Sequence, residues 1–336
     1  MIKVAINGFG RIGRNAFKIA FEKKDIEVVA INDLTDNATL AYLLQHDTIF
    51  GTYDREVTFD DKHLIVGKKK IVILSEKDPT ELPWDKLAVD VVIESTGRFV
   101  KGEDARMHLT AGANKVVISA PAKSDDVPTY VLGVNDDQMK PSDTIISNAS
   151  CTTNCMMPVT RVIQEHFGIQ NAMMTTIHSY TSESNVLVDS PGGKDLRTNR
   201  AGAENIIPTT TGASSAAAKT MPELEGAFEG LSIRVPTPDV SLCDTTYITK
   251  KTVTAEQVNA ALKNETNNPA LNGILAVSNA DLVSSDFVGN PYSAIVDLKL
   301  TRVVGGNMLK VVAWYDNEWG YSNRLVEIVE KLGKLK

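Results

Sequence analysis

Ile2-Lys3-Val4-Ala5-Ile6-Asn7-Gly8-Phe9-Gly10-Arg11-Ile12-Gly13-Arg14 is the stretch on which the fold turns. Its first six residues alternate like a strand, and the glycines that follow open a helical stretch running to about Glu22. A G-x-G-x-x-G pattern alone is weak, because glycines often only mark turns. Here it follows a strand and precedes a helix, and a second strand, Ile26 to Ile31, ends in Asn32-Asp33. Asp33 stands about 20 residues after Gly13, where a dinucleotide-binding fold places the acid that bonds the adenosine ribose hydroxyls. Gly8 and Gly10 let the backbone turn tightly and approach a pyrophosphate seated on the helix N-terminus. A carboxylate at position 33 repels a 2′-phosphate, so NAD is favoured over NADP.

Working outward, Ala38 to Gln45 reads as a short helix, and His63 to Ser75 as two strands joined at Gly67-Lys68. Val89 to Glu94 reads as a strand of the buried parallel kind, ending in Ser95-Thr96-Gly97. A helix near Glu103 to Gly112 and a strand, Lys115 to Ile118, lead to Ser119. Strand–helix alternation builds a parallel sheet with its ligand at the strand carboxyl ends. Ser95, Thr96 and Ser119 fall at such ends, as cofactor contacts or as helix caps. Beyond residue 151 the pattern changes to long strands: Asn171 to His178, Ala227 to Val235, Asp239 to Thr249, Tyr292 to Val304 and Met308 to Trp314. Helices are expected near Thr211 to Met221, over Thr254 to Asn264 and over Glu318 to Leu335, and Ser179 to about Glu204 reads as a long polar loop. The fold expected is an α/β Rossmann-type dinucleotide-binding domain plus an α+β catalytic domain with a mostly antiparallel sheet.

Composition narrows the class. With 336 residues the chain has room for two domains, and 43% hydrophobic with 23% charged residues is ordinary for a globular protein. A net charge of −7 argues against a general nucleic-acid or anionic-membrane binder. No apolar run reaches the ~18 residues of a membrane helix, and the first strand begins so close to Met1 that no signal peptide is expected. Three cysteines fit a reducing compartment, so the expected location is cytoplasmic. No further Cys/His pair at zinc spacing accompanies Cys151 and Cys155, so no metal site is expected.

Ser147-Asn148-Ala149-Ser150-Cys151-Thr152-Thr153-Asn154-Cys155 places a cysteine between an apolar run and a helix. The positive end of a helix favours thiolate over thiol, which makes Cys151 a candidate nucleophile. It needs a histidine within hydrogen-bond reach. Of the five histidines, His166 lies on the same helix fifteen residues on, ~22 Å away at ~1.5 Å per residue. His46, His63 and His108 belong to the nucleotide-binding half and read as surface or packing residues. His178, at a strand end where a polar loop begins, remains. Arg234 interrupts an apolar strand, Leu231 to Pro236, and a charge there calls for an acid partner or a bound phosphate. Thr209-Thr210-Thr211-Gly212 before a helix is a further anion site, and Thr181 adds a hydroxyl.

Taken together, Asn7 to Arg14, Ser147 to Cys155, Arg234-Val235-Pro236-Thr237 and Trp314 to Ser322 make the whole chain resemble the phosphorylating, NAD-dependent glyceraldehyde-3-phosphate dehydrogenases. That resemblance implies Cys151 as nucleophile and His178 as the base that activates it. It implies that Ser150, Thr152, Thr181, Arg197, Thr211, Gly212 and Arg234 hold the phosphates of D-glyceraldehyde 3-phosphate and inorganic phosphate. Arg11, Ile12, Asp33, Lys77, Ser119 and Asn317 would contact NAD, Asn317 reaching the nicotinamide amide. Aldehyde oxidation would run through a thiohemiacetal and a thioester on Cys151, and a homotetramer is implied. The domains would be 1–150 for NAD, completed by a C-terminal helix over 317–336, and 151–316 for catalysis. Lys77 stands where the family usually has arginine, and the loop from Ser182 to Asn199 departs from the common pattern. Leu34 and Pro191 resemble a pair associated with NAD preference. Erythrose-4-phosphate dehydrogenase shares the cysteine and glycine motifs, but Thr211-Gly212 fits the glyceraldehyde enzyme better. A secondary binding or adhesin role is the alternative from another class.

Overall fold

The glycine-rich turn joins β1 (Ile2–Asn7) to α1 (Arg11–Glu22) in a computed structural model that describes residues 1–181, 189 and 195–335. Gly8 sits at φ +94°, where side chains are strained, and a Cβ there would come within 2.7 Å of the Thr96 backbone nitrogen. A Cβ on Gly13 would run into the carbonyl oxygen of Gly8, whereas Gly10 faces open space. The outer glycines therefore serve close packing, and the middle one keeps a clear approach to the backbone.

The chain divides into two units. The first comprises Met1–Tyr130, Gln138–Ser150 and Ser322–Lys336. After β1 it adds β2 (Ile26–Asn32), α2 (Asn37–Gln45), β3 (Val57–Phe59), β4 (His63–Val66), β5 (Lys69–Leu74), β6 (Val91–Glu94), α3 (Gly102–Thr110), β7 (Lys115–Ile118) and β8 (Ile145–Ser147). These strands form one eight-stranded sheet in the order β8-β7-β6-β1-β2-β5-β4-β3. From β8 to β5 the neighbours run parallel, and the last two pairings are antiparallel. Val91, Val92 and Ile93 are fully buried, the pattern of a strand covered on both faces. Each such side chain contributes about 1.5–3 kcal/mol.

The second unit comprises Val131–Asp137 and Cys151–Tyr321. It holds α4 (Cys151–Phe167), β9 (Ile169–Ser179), β10 (Ile207–Thr210), α5 (Ala213–Thr220), β11 (Phe228–Val235), β12 (Ser241–Thr249), α6 (Ala255–Glu265), β13 (Leu275–Ser278), β14 (Ala294–Asp297), β15 (Arg302–Val304) and β16 (Met308–Tyr315). The sheet order is β10-β11-β9-β12-β16-β14-β13, with β15 also on β16. Only β9–β11 and β13–β14 are parallel among the described pairs. In β12 buried and half-buried residues alternate, as a sheet with unlike faces requires. Thr254 and Gln257 cap α6 reciprocally, which explains its sharp start. Residues 319–334 form the last helix, α7 (Trp319–Lys334).

One expectation needs correction. The run from Tyr292 to Val304 is not one strand: after β14 the Asp297 carboxylate accepts the Lys299 N–H at 3.1 Å and folds Leu298–Leu300 into a 3-10 turn before β15. Of the two roles read for His108, surface or packing, the fold shows packing: the side chain is fully buried and hydrogen-bonded, as described below. Within the polar loop, Leu196–Asn199 forms a 3-10 turn, while 182–188 and 190–194 lie outside the described residues.

Replacing Gly13 with alanine should lower the urea-unfolding free energy by about 1–3 kcal/mol, because backbone at Gly8 must move to admit the methyl group. An unchanged unfolding midpoint would show that the turn is looser than this packing.

Candidate active site

The turn from β8 into α4 is built by short-range bonds. Ser147 Oγ accepts the Ala149 N–H at 3.0 Å and donates to the Ala120 carbonyl at 2.7 Å. Ala149 adopts φ 55°, a left-handed conformation that a non-glycine residue rarely takes. The chain thus reverses sharply, and α4 begins at Cys151.

Strand register does the rest. In the parallel β9–β11 pair His178 lies directly across from Arg234, and in the antiparallel β9–β12 pair Ile177 faces Leu242. Ser241 in turn pairs with Tyr315 on β16. Cys151 Sγ lies 3.4 Å from His178 Nε2. His178 Nδ1 is 2.8 Å from the Ser179 carbonyl and 2.6 Å from Arg234 Nη1, which itself donates to that carbonyl at 3.1 Å. The carbonyl asks for a proton on Nδ1, and the guanidinium asks for a lone pair. With Arg234 on the ring, the proton of a neutral imidazole faces sulfur from Nε2. With Arg234 drawn elsewhere, Nδ1–H goes to Ser179 and Nε2 is free to take a proton.

Burial dominates the charges here. It pushes the Cys151 thiol up to about 11, against the downward pull of the Arg234 cation and the Thr152 N–H and hydroxyl. Burial and then the same cation push His178 down to about 3. Burial therefore favours the uncharged forms of both sulfur and imidazole, and the two stand close enough for a proton to pass between them.

Thr152 is buried, and its hydroxyl meets Tyr315 Oη at 3.0 Å; Thr176 meets the same oxygen at 2.8 Å. The His178 ring stands edge-on to Tyr315, centroids 5.9 Å apart. Thr181 carries a buried hydroxyl with no hydrogen-bond partner among the described residues, one strand-end away from His178. Thr211 and Gly212 lie where β10 passes into α5, Gly212 being the N-cap without a side-chain cap. Ser150 is half-buried next to Cys151. Arg197 is exposed, on the 3-10 turn held by Asp195.

Asn317, 5% exposed, accepts through Oδ1 from Ser179 Oγ at 3.0 Å and Ser241 Oγ at 2.7 Å. Beside it, the Asp316 carboxylate accepts N–H bonds from Gly289, Glu318 and Trp319. Burial, then the charges of Asp316 and Glu318, raise Asp239 to about 9, so it is protonated at neutral pH. Cys155 packs fully buried along α4.

The first unit contains its own cavity of about 280 Å³ at the carboxyl end of β1. Gly8, Gly10, Asp33, Lys77, Ser95 and Thr96 line it, with Leu34. Asp33 accepts from Phe9 N at 2.7 Å, tying the glycine turn to the end of β2. The Ser95 hydroxyl bonds the Gly8 carbonyl at 2.7 Å, and the Thr96 hydroxyl bonds Glu94, so both are engaged inward. Arg11 pairs with Asp47, and Ile12 sits in the first turn of α1. Ser119 N donates to the Glu94 carbonyl. Pro191 lies outside the described residues.

Beneath this cavity is a buried network absent from the sequence reading. Trp84 Nε1 donates to His108 Nδ1 at 3.0 Å, which leaves the ring proton on Nε2 to reach Glu94 at 3.1 Å. Glu94 also accepts from Asn7 at 2.6 Å, and Asn7 accepts from Asn32 at 2.7 Å. The signal was present as asparagines ending two largely apolar strands. The serines and Tyr315 around His178 left no such local signal.

Comparison with known proteins agrees with both halves. Residues 150–317 match the family model described as glyceraldehyde 3-phosphate dehydrogenase, C-terminal domain, and residues 2–102 the one described as its NAD binding domain. A glyceraldehyde-3-phosphate dehydrogenase of Geobacillus stearothermophilus is 54% identical over 328 residues, covering 97% of each chain. Glyceraldehyde-3-phosphate dehydrogenase 1 of Bacillus subtilis (strain 168) is 51% identical over 334 residues, covering 99% of this chain and 98% of its own.

Two outcomes are expected. His178→Asn should slow iodoacetamide alkylation of Cys151 at pH 7 by about 10²-fold, with the gap closing at alkaline pH where hydroxide ionises the thiol; parallel profiles at all pH values would remove the histidine from activation. Because the folded chain holds Asp239 protonated far above its unfolded pKa, this residue costs more stability as pH rises from about 4 towards 9. Asp239→Asn should stabilise by about 1–3 kcal/mol near pH 8 and by less near pH 5, read from urea midpoints; an equal gain at both would contradict a buried acid.

Proposed function

The chain belongs to the glyceraldehyde-3-phosphate dehydrogenase family, and on that premise we propose how its residues carry out the reaction. It is an NAD-dependent oxidoreductase of glycolysis that converts D-glyceraldehyde 3-phosphate and inorganic phosphate to 1,3-bisphosphoglycerate. The observation that carries the residue assignment is the Cys151–His178–Arg234 constellation, sulfur to Nε2 3.4 Å and guanidinium to Nδ1 2.6 Å.

An arriving phosphate competes with Nδ1 for Arg234, since an anion is the stronger partner for a guanidinium. Nδ1–H then goes to the Ser179 carbonyl, and Nε2 receives the proton of Cys151. The thiolate attacks the aldehyde carbon, and His178 returns the proton to the alkoxide, giving a thiohemiacetal. Bound NAD supplies the hydride acceptor. As the carbon is oxidised, His178 takes the hydroxyl proton and a thioester remains on Cys151. Inorganic phosphate displaces the sulfur, releasing the acyl phosphate and restoring the thiolate. Thr181, whose buried hydroxyl lacks a partner among the described residues, joins Arg234 as an anion donor in this scheme, with the N–H groups at Thr211-Gly212. Ser150, Thr152 and Arg197 take phosphate roles on the family resemblance. Thr152 also touches sulfur and Tyr315.

The first unit fits NAD. Gly10 leaves open space where a pyrophosphate would approach, and the Asp33 carboxylate lines the cavity for a ribose diol. Arg11, Ile12, Lys77, Ser119 and, in the second unit, Asn317 complete the proposed contacts, with 1–150 as the NAD domain and 151–316 as the catalytic one. A homotetramer is proposed on the family resemblance, and exposed Met173 and Leu231 on the sheet of the second unit are apolar surface that a subunit contact would cover. No helix among the described residues is long and apolar enough to cross a membrane, and a cytoplasmic location accords with that and with glycolysis.

The test is NAD reduction with D-glyceraldehyde 3-phosphate, with and without inorganic phosphate, beside erythrose 4-phosphate. Turnover should require phosphate and favour the three-carbon aldehyde, and Cys151→Ser should lower kcat by about 10³-fold or more while NAD still binds. Preference for the four-carbon sugar, or activity retained without Cys151, would overturn the assignment.

A further inference from the structure

Asn317 is held with one polarity. Its Oδ1 is the acceptor for both neighbouring serine hydroxyls, Ser179 at 3.0 Å and Ser241 at 2.7 Å. Ser241 Oγ simultaneously accepts the Ser179 N–H at 3.1 Å, so a lone pair of that oxygen is taken and its one proton must find an acceptor. Among the described residues Asn317 Oδ1 is that acceptor, and it is also the acceptor of the Ser179 hydroxyl. Turning the amide over would set its NH2 against two hydroxyl protons that have no other acceptor among the described residues. All three residues are at least 95% buried, which makes an unmatched proton costly. The hydrogen bonds of the Asn317 side chain among the described residues are both to Oδ1, so its Nδ2 hydrogens are what the amide offers to a ligand.

The two serines come from different strands. Ser179 ends β9 and Ser241 begins β12, so the polarity is set by sheet register and not by a local turn. Ser179 is also the residue whose carbonyl is shared by His178 and Arg234. One residue therefore fixes the imidazole through its carbonyl and the Asn317 amide through its hydroxyl.

We propose that Ser179 and Ser241 are positioning residues that keep Asn317 a pure hydrogen-bond donor, so that the nicotinamide carboxamide is recognised through its carbonyl oxygen and not through its NH2 group. This rests on the reading of the chain as an NAD enzyme with Asn317 at the nicotinamide. It goes further in assigning the direction of the bond and the two side chains that impose it. A dinucleotide bearing an acetyl group in place of the carboxamide keeps the carbonyl and lacks the NH2, so the wild-type chain accepts it almost as well as NAD. Without the serines the amide is free to turn and present Oδ1 to an NH2 group, a partner that only NAD possesses.

Binding of NAD and of 3-acetylpyridine adenine dinucleotide, titrated by tryptophan fluorescence, tests this on the full chain. Wild type should bind the two within about threefold of each other, and Ser179→Ala combined with Ser241→Ala should shift the ratio of Kd values towards NAD by about tenfold, the scale of one hydrogen bond. Ser241→Thr keeps the hydroxyl and should keep the wild-type ratio. Equal losses for both dinucleotides, or no change in either, would overturn the proposal. If the double variant does not fold, each single variant is read in the same way, with a smaller shift expected and a constant ratio counting against. Alkylation of Cys151 without dinucleotide separates the two halves of the site: a collapse there together with equal binding losses assigns the serines to the fold alone. Because binding is read without turnover, its outcome is separate from the phosphate-dependent assay, whose failure would count against the function itself.

Discussion

The register of β9 against its two neighbours is the constraint on which the second unit depends. The side-chain period of a strand is two, so a slip of one residue would turn His178 away from Arg234 and carry Ser179 away from Ser241. Eleven residues of β9 hold that register, with a parallel partner on one side and an antiparallel one on the other. Neither loops nor a metal cluster set these distances; among the described residues no group of His, Cys, Asp and Glu could hold a metal ion. Local chain geometry contributes only the placement of sulfur, through the left-handed Ala149 and the start of α4.

Within that frame two effects oppose each other at Cys151. The Arg234 guanidinium and the Thr152 N–H and hydroxyl all favour negative sulfur, yet desolvation outweighs them. The same guanidinium that helps the thiolate hinders the imidazolium, because it sits against Nδ1. In the proposed reaction a substrate anion would resolve this conflict by drawing the guanidinium off the ring. Chemistry at the sulfur would in this way be tied to occupancy of a site that the sulfur itself does not touch.

Much of this was legible in the chain. The strand–glycine–helix order, Asp33 at its spacing, the apolar run of β6 and the cysteine at a helix start are local patterns, and local patterns survive being read in one dimension. Elimination among the five histidines pointed to His178, and the fold sets its Nε2 3.4 Å from Cys151 Sγ. What was not legible came from contacts across strands. His108 reads as an unremarkable helix residue until α3 brings it beneath the cavity, between Trp84 and Glu94. Ser179, Ser241 and Tyr315 are common residues in half-buried strands, and only the pairing of β9, β12 and β16 makes them neighbours of Asn317 and Thr152. The break at Asp297 was missed because one side-chain cap overrode a stretch of strand-forming residues.

The buried acid Asp239, set against Asp316, has a calorimetric consequence. Asp239 holds a proton at neutral pH in the folded chain and releases it once the chain unfolds and water reaches the carboxyl group. Folding therefore draws a proton from the surrounding buffer. The heat absorbed on melting will include the heat with which that buffer takes the proton back, so two buffers of equal pH but unlike ionisation enthalpy will report different melting enthalpies for the same molecule.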